Sequence, residues 1–143
     1  SIEREIFPLI VDDGRLFAMA TDDYWIDTGR PEPYRRANLD MIDGVRRRLS
    51  ASGIEPGAEV HPTALIEHSL VSSGAVVAPG ASVHDSVILA GAVIHKGALV
   101  RDSIVMGTVG ERATIIDTVV GVAGVIPDGA TLEHAFVPDP TAV

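Results

Sequence analysis

Along the second half of the chain, small and branched apolar residues alternate with polar ones in a six-residue rhythm. Ala-x-(Val/Ile/Leu) occurs at Ala58-Val60, Ala64-Ile66, Ala75-Val77, Ala81-Val83, Ala92-Ile94, Ala98-Val100, Ala113-Ile115 and Ala130-Leu132. Gly107-x-Val109 before Ala113 and Gly124-x-Ile126 before Ala130 complete two further pairs at the same step. A different signature marks a third side: Glu67-His-Ser-Leu-Val71, His84-Asp-Ser-Val-Ile88, Arg101-Asp-Ser-Ile-Val105, Ile116-Asp-Thr-Val-Val120 and Glu133-His-Ala-Phe-Val137, at offsets of 17, 17, 15 and 17. A six-residue step with alternating inward positions is one short strand plus a corner. Three such steps make a triangular coil of about 17 or 18 residues, stacked on the next at about 4.8 Å. The pattern predicts five coils over residues 57–140, a parallel β-helix of the hexapeptide-repeat kind. The offset of 15 predicts a corner shortened by two residues near Met106, where Leu89-Ala90 stand one coil earlier.

The first half follows a different grammar. Residues 2–11 predict a short helix that Pro8 ends, Asp12-Asp13-Gly14 a turn, and residues 15–20 a strand, with a possible second strand at Tyr24–Asp27. Pro31 suits the first position of a helix and Glu32 its positive end. In that helix Tyr34, Asn38, Met41, Ile42, Val45 and Leu49 share one face, and Arg46, Arg47 and Arg48 form its solvated end. Four such elements close no core of their own and need a sheet that this sequence does not supply. The expected domains are therefore 1–53, mixed α/β, and 54–143, the repeats. The opening Ser-Ile-Glu-Arg-Glu-Ile-Phe-Pro reads as the interior of a longer polypeptide.

Composition narrows the picture. Hydrophobic residues make up 46% but aromatics only 4%, which suits a narrow interior filled by Ala, Val, Ile and Leu. A net charge of −9 argues against nucleic acid as a partner. The absence of Cys excludes disulfides and Cys-based zinc sites and fits a cytoplasmic location. No apolar run approaches the roughly 20 residues of a membrane span, and no signal peptide is evident.

Taken together, the two halves resemble the C-terminal part of sugar-1-phosphate nucleotidyltransferases, nearest to the mannose-1-phosphate guanylyltransferase branch. Ser1–Pro8 (SIEREIFP) is similar to a stretch found there, and Tyr24–Tyr34 (YWIDTGRPEPY) is similar to the family's Trp-x-Asp-x-Gly-Thr-Pro-x-x-Tyr segment. The resemblance implies a mainly β protein: a left-handed β-helix preceded by an α/β remnant of the nucleotidyltransferase domain. It also implies Mg²⁺ in the intact enzyme, with a sugar 1-phosphate and a nucleoside triphosphate as substrates; separately, the terminal coil and flat faces of the β-helix, with their unpaired edges, predict self-association. Asp27 matches the family's metal carboxylate. Gly29 would let backbone approach a phosphate, and Glu3 would accept a sugar hydroxyl. No catalytic set is complete in this chain. Arg30 stands where the family often has a capping Thr, with Thr28 as a substitute cap. The Gly-rich phosphate loop is absent, and the single Lys, Lys96, lies among the repeats. Trp25 is expected to pack rather than to react.

Three other readings follow from the residues. The repeat alignment stacks His68, Asp85, Asp102, Asp117 and His134 in one column, and Glu67, His84, Arg101, Ile116 and Glu133 in another. These columns fit a metal ladder or, more simply, solvated corners where Asp tolerates unusual backbone angles. His61 and His95 invite comparison with the catalytic His of hexapeptide acyltransferases. A catalytically silent regulatory or assembly module would share the whole design. Phe136 and the Pro138–Pro140 tail are expected to cover the last coil.

Overall fold

The computed structural model describes residues 1–45 and 53–137. The expectations for Arg46–Arg48, Leu49 and Pro138–Pro140 lie outside these residues. The first coil carries β1 (Glu59–Val60), β2 (Leu65–Glu67) and β3 (Leu70–Val71), and the second β4 (Val76–Val77), β5 (Ser82–His84) and β6 (Val87–Ile88). The third has β7 (Val93–Ile94), β8 (Leu99–Arg101) and β9 (Ile104–Val105), and the fourth β10 (Thr108–Val109), β11 (Thr114–Ile116) and β12 (Val119–Val120). The fifth has β13 (Val125–Ile126), β14 (Thr131–Glu133) and β15 (Phe136–Val137). Every third strand pairs in parallel, giving three five-stranded sheets. The protein is a five-coil parallel β-solenoid, as the repeat predicts.

The register explains the residue choices. Val60, Val77, Ile94, Val109 and Ile126 stack in one inward column, and Val83, Val100 and Ile115 in the second sheet. Val71, Ile88, Val105 and Val120 form a third. Ala75, Ala81, Ala92, Ala98 and Ala113 sit at the corners with essentially no exposure. All belong to one core cluster. Larger side chains would meet their own equivalents one rung away, so branched residues fill the sides and a methyl group fills each corner.

The third corner works differently. His68, Asp85, Asp102, Asp117 and His134 all have positive φ, between 42° and 51°. Asp and His are among the non-glycine residues that enter this region most readily, so the backbone accounts for the column. Past that corner the chain needs a substitute acceptor, and a buried hydroxyl supplies it. Ser86 N–H donates to Ser69 Oγ at 3.0 Å, Ser103 N–H to Ser86 Oγ at 3.0 Å, and Thr118 N–H to Ser103 Oγ at 3.1 Å. Each hydroxyl in turn donates to the carbonyl two residues back, as Ser86 Oγ does to His84 O at 2.6 Å. Among the described residues no buried side-chain polar atom lacks a partner.

The shortened corner lies where expected. Only Met106 and Gly107 separate β9 from β10, and β10 still pairs in register with β7 through Thr108 and Val93. A Cβ on Gly107 would lie 2.2 Å from Gly124 O and 2.4 Å from Gly121 O, so the tightened backbone leaves room for glycine alone.

The N-terminal region departs from expectation. Ile2–Ile6 form a π-helical turn that runs into α1 (Phe7–Asp12), with Pro8 in its first turn. Pro8 therefore starts a helix instead of ending one, because the first turn needs no backbone N–H there. No strand forms at 15–20 or 24–27, and residues 1–45 hold helices but no β-strand. A strand requires a partner, and among the described residues no strand pairs with either segment. Phe17, Met19 and Trp25 are 87%, 89% and 82% exposed, so the described residues do not supply the packing expected of Trp25.

The helix begun by Pro31 is present as α2 (Pro31–Ile42). Tyr34 and Ile42 pack on the outward cluster Leu70, Val87 and Ile104, but Val45 is exposed. Leu39, which the helical face did not include, is buried. At 12 residues the helix is about 18 Å long, close to four rung spacings of about 4.8 Å each. Phe136 continues the outward column beyond Val119 and is 71% exposed, so its own side chain does not cover the last coil.

Two stability predictions follow. Ser86→Ala strands the Ser103 N–H and should cost about 1–3 kcal/mol in urea unfolding, whereas Ser86→Thr should be tolerated because Thr118 fills the equivalent place. Arg112, at φ 54°, occupies the corner that Gly97 and Gly129 fill in neighbouring coils. Arg112→Gly should raise stability by about 0.5–1 kcal/mol through relief of that backbone conformation.

Candidate functional site

The segment Tyr24–Arg30 leads into α2 and carries the candidate carboxylate. Asp27 Oδ1 accepts the Gly29 N–H at 2.9 Å, closing an Asx turn on the surface. Its second oxygen makes no hydrogen bond among the described residues. A Cβ at position 29 would lie 3.1 Å from Asp27 Oδ1, so glycine keeps the turn tight. Arg30 is the N-cap in extended conformation, and no side chain caps the helix. The expected substitution by Thr28 therefore does not form. Glu3 lies in the π-helical turn, exposed, with no hydrogen bond or ion pair to Asp27 or Gly29 among the described residues. Asp27 and Gly29 are brought together; Glu3 is not.

Two clefts flank the start of α2. On one side Gly29, Arg30 and Tyr34 face Leu89, Ile104 and Met106 across a space of about 350 Å³. On the other, Arg30 and Glu32 face Asp117, His134 and Phe136 across about 250 Å³. The first borders the shortened corner.

Polar contacts fasten α2 to the solenoid corners. Arg35 Nη1 donates to Asp85 O at 2.7 Å and pairs with Asp102 Oδ1 at 3.0 Å. His68 lies between Asp85 Oδ1, at 2.5 Å from Nδ1, and Asp43 Oδ1, at 3.1 Å from Nε2, just beyond the helix C-terminus. Within the helix, Asp40 receives Arg36 Nε at 2.8 Å and the Tyr24 hydroxyl at 2.9 Å. The Arg36 guanidinium holds the Asp40 carboxyl below its usual pKa against the opposing effect of burial, with Tyr24 assisting. Sequence patterning missed Tyr24, Arg35, Asp40 and Asp43. Only the Arg36–Asp40 pair, four residues apart, carries a signal in the chain.

The His and Asp columns resolve into corner contacts. His84 Nδ1 lies 3.0 Å from Glu67 Oε2, and His134 Nδ1 lies 2.7 Å from Asp117 Oδ2. His61 Nδ1 closes a local turn with Thr63, and His95 is half-buried. Among the described residues no group of three or more His, Asp or Glu side chains converges on a metal position. No helix among them is long and apolar enough to cross a membrane.

Fold and site define a hexapeptide-type parallel β-solenoid with one face covered by a helix that follows an Asp-Thr-Gly turn. The family described as GMPPB C-terminal domain matches residues 50–142, and the chain belongs to that family. It is 38% identical over 69 residues to a probable mannose-1-phosphate guanylyltransferase 3 of Oryza sativa subsp. japonica, covering 48% of this chain and 19% of that protein. It is 33% identical over 74 residues to the mannose-1-phosphate guanylyltransferase of Mycobacterium tuberculosis (46% and 21%). It is 37% identical over 71 residues to the catalytic subunit beta of the Danio rerio enzyme (46% and 20%). The aligned region thus spans about a fifth of the length of these relatives. Among solved structures, the acetyltransferase domain of PglB from Neisseria gonorrhoeae FA1090 covers 92% of this chain and 71% of its own, at 20% identity and a TM-score of 0.28. That likeness is too loose to bear on activity.

The His68 bridge sets a pH dependence. The hydrogen bond to Asp85 raises the His68 pKa above 6.5 against opposing burial, and Asp43 adds to the rise. A raised folded-state pKa contributes stability that is fully present below the unfolded value and is lost as pH rises through the folded one. Thermal melts should therefore show the protein losing stability as pH rises above the ordinary histidine value and through the raised one, and His68→Gln should remove that part of the slope.

Proposed function

We propose that this chain is the C-terminal portion of a nucleotidyltransferase that joins a sugar 1-phosphate, mannose 1-phosphate, to GTP. The match to the GMPPB C-terminal domain family carries this reading, with relatives named as mannose-1-phosphate guanylyltransferases in support. Residues 1–53 belong to the catalytic domain and 54–143 to the solenoid, and the protein acts in the cytoplasm. The exposed apolar side chains of Ile2, Leu9, Phe17, Met19 and Trp25 support this division, since such residues suit burial against the sheet of the remaining catalytic domain.

In the reaction, a phosphate oxygen of the sugar 1-phosphate attacks the α-phosphorus of the triphosphate. The bond from that phosphorus to the bridging oxygen breaks, and pyrophosphate leaves with the electron pair. Positioning and charge neutralisation supply most of the rate in such transfers. A Mg²⁺ ion needs one or two carboxylates together with phosphate oxygens and water. The exposed Asp27, with one oxygen engaged by Gly29 and the other without a hydrogen bond among the described residues, fits the role of one such ligand. When bound, Mg²⁺ would neutralise phosphate charge. Asp27 holds its turn open to solvent, Gly29 admits backbone close to a phosphate, and Glu3 accepts a sugar hydroxyl. Among the described residues the outer edges of β1, β2, β13, β14 and β15 pair with no further strand, which favours self-association through the solenoid.

A second reading is a silent assembly or regulatory module built on the same five-coil solenoid. Kinetics separate the two. Asp27→Asn in the full-length protein should lower kcat by at least about a hundredfold with the solenoid melting unchanged. The 143-residue chain alone should form no nucleotide sugar from GTP and mannose 1-phosphate. Full activity of the Asp27→Asn protein, or turnover by the chain alone, would overturn the reading.

A further inference from the structure

Asp40 is the one charged residue among the described residues that is buried, at 8% exposure. A carboxylate removed from water must be paired and hydrogen-bonded to remain ionised. Both oxygens of Asp40 are engaged, but the partners differ in kind. Arg36 sits one turn earlier on the same helix, with its side chain 71% exposed, and such a pair forms equally well in solvent. The Tyr24 hydroxyl reaches Asp40 from 16 residues away, whereas Thr21 with Asp23, and Gly29 with Asp27, bond over two residues in the same segment.

Tyr24 stands three residues before Asp27, a reach of at most about 10 Å of extended chain. The other boundary of the turn is fixed as well, because Arg30 begins α2. The helix is held to the solenoid by Arg35 on Asp85 and Asp102. The Asp27 turn is thus suspended between two points of one helix: Tyr24 on Asp40, and the chain itself at Arg30. We propose that the Tyr24–Asp40 hydrogen bond is the strut that sets the position of the Asp27 turn, so that Tyr24 and Asp40 are positioning residues for the transfer reaction. This rests on the reading of Asp27 as a metal carboxylate. It adds a defined mechanical link from solenoid to reaction centre.

The test uses the full-length enzyme with Tyr24→Phe, Asp40→Asn and the double variant. Three quantities are read: kcat, the Mg²⁺ concentration at half-maximal rate, and amide hydrogen exchange at Gly29, whose N–H bonds Asp27. Tyr24→Phe, which removes one oxygen and nothing else, should lower kcat by about tenfold, raise the Mg²⁺ requirement several-fold and speed exchange at Gly29, as loss of an outer partner of a metal ligand does. The double variant should be no worse than the more impaired single variant, and the melting of the solenoid should not move. If Asp40→Asn does not fold, Tyr24→Phe alone decides. Loss of activity in Asp27→Asn with wild-type kcat, Mg²⁺ dependence and Gly29 exchange in Tyr24→Phe overturns the strut and leaves the function standing. Faster Gly29 exchange in a parent protein that has no turnover overturns the function, and with it the catalytic role of the strut.

Discussion

The structure depends on one distance, the spacing between stacked coils. Parallel backbone pairing fixes it at about 4.8 Å, and every inward side chain must therefore pack against its own equivalent at that separation. Three short sides enclose a lumen with room for branched aliphatics along the strands and a methyl group at two of the corners. The third corner turns through the left-handed region and leaves a backbone N–H to be satisfied inside the wall, which the Ser69, Ser86, Ser103 and Thr118 hydroxyls do. The narrowness that excludes aromatic residues also makes the stack insensitive to what decorates its outside. One face is thereby free to carry a helix.

That face is where the two halves meet. Leu70, Val87 and Ile104 point outward from the third sheet and are buried by Tyr34, Ile42 and Leu89. The contact is apolar along its length and polar at its border, where Arg35 and His68 engage the turned corners. The side chains that look like a metal ladder in a list of columns are better described as a rail. The backbone selects Asp and His for their angles, and the Asp102 carboxylate and the His68 imidazole then serve as anchoring points for the helix and its C-terminal end.

The solenoid was legible because its contacts repeat. Ala81 predicts Ala98 and Val83 predicts Val100, since each is the other's neighbour in space. The 15-residue offset likewise foretold the tight corner at Met106 and Gly107. What did not repeat was hard to read. The strands expected at 15–20 and 24–27 have suitable residues but no partner edge, and Trp25 lacks the surface it would need to bury itself. Pro8 was ambiguous because proline both ends one helix and begins the next. Asp27 and Gly29 were readable as a turn, being two residues apart. The Tyr24–Asp40 bond was not, since 16 residues and a change of direction separate its ends. Leu39 was missed because the outward face of a β-sheet, which decides what the helix buries, has no trace in the helix's own sequence.

The tight corner at Met106–Gly107 has a further consequence. Coils built from nearly interchangeable columns carry little information about which coil should follow which, and a coil from one molecule could pair with the wrong coil of another. One corner two residues shorter than the rest, admitting only glycine against the carbonyls of Gly121 and Gly124, breaks that equivalence. It serves as a notch on an otherwise uniform key: neighbouring coils fit across it in a single alignment, so the stack is indexed from within and mispairing between chains is disfavoured at the outset.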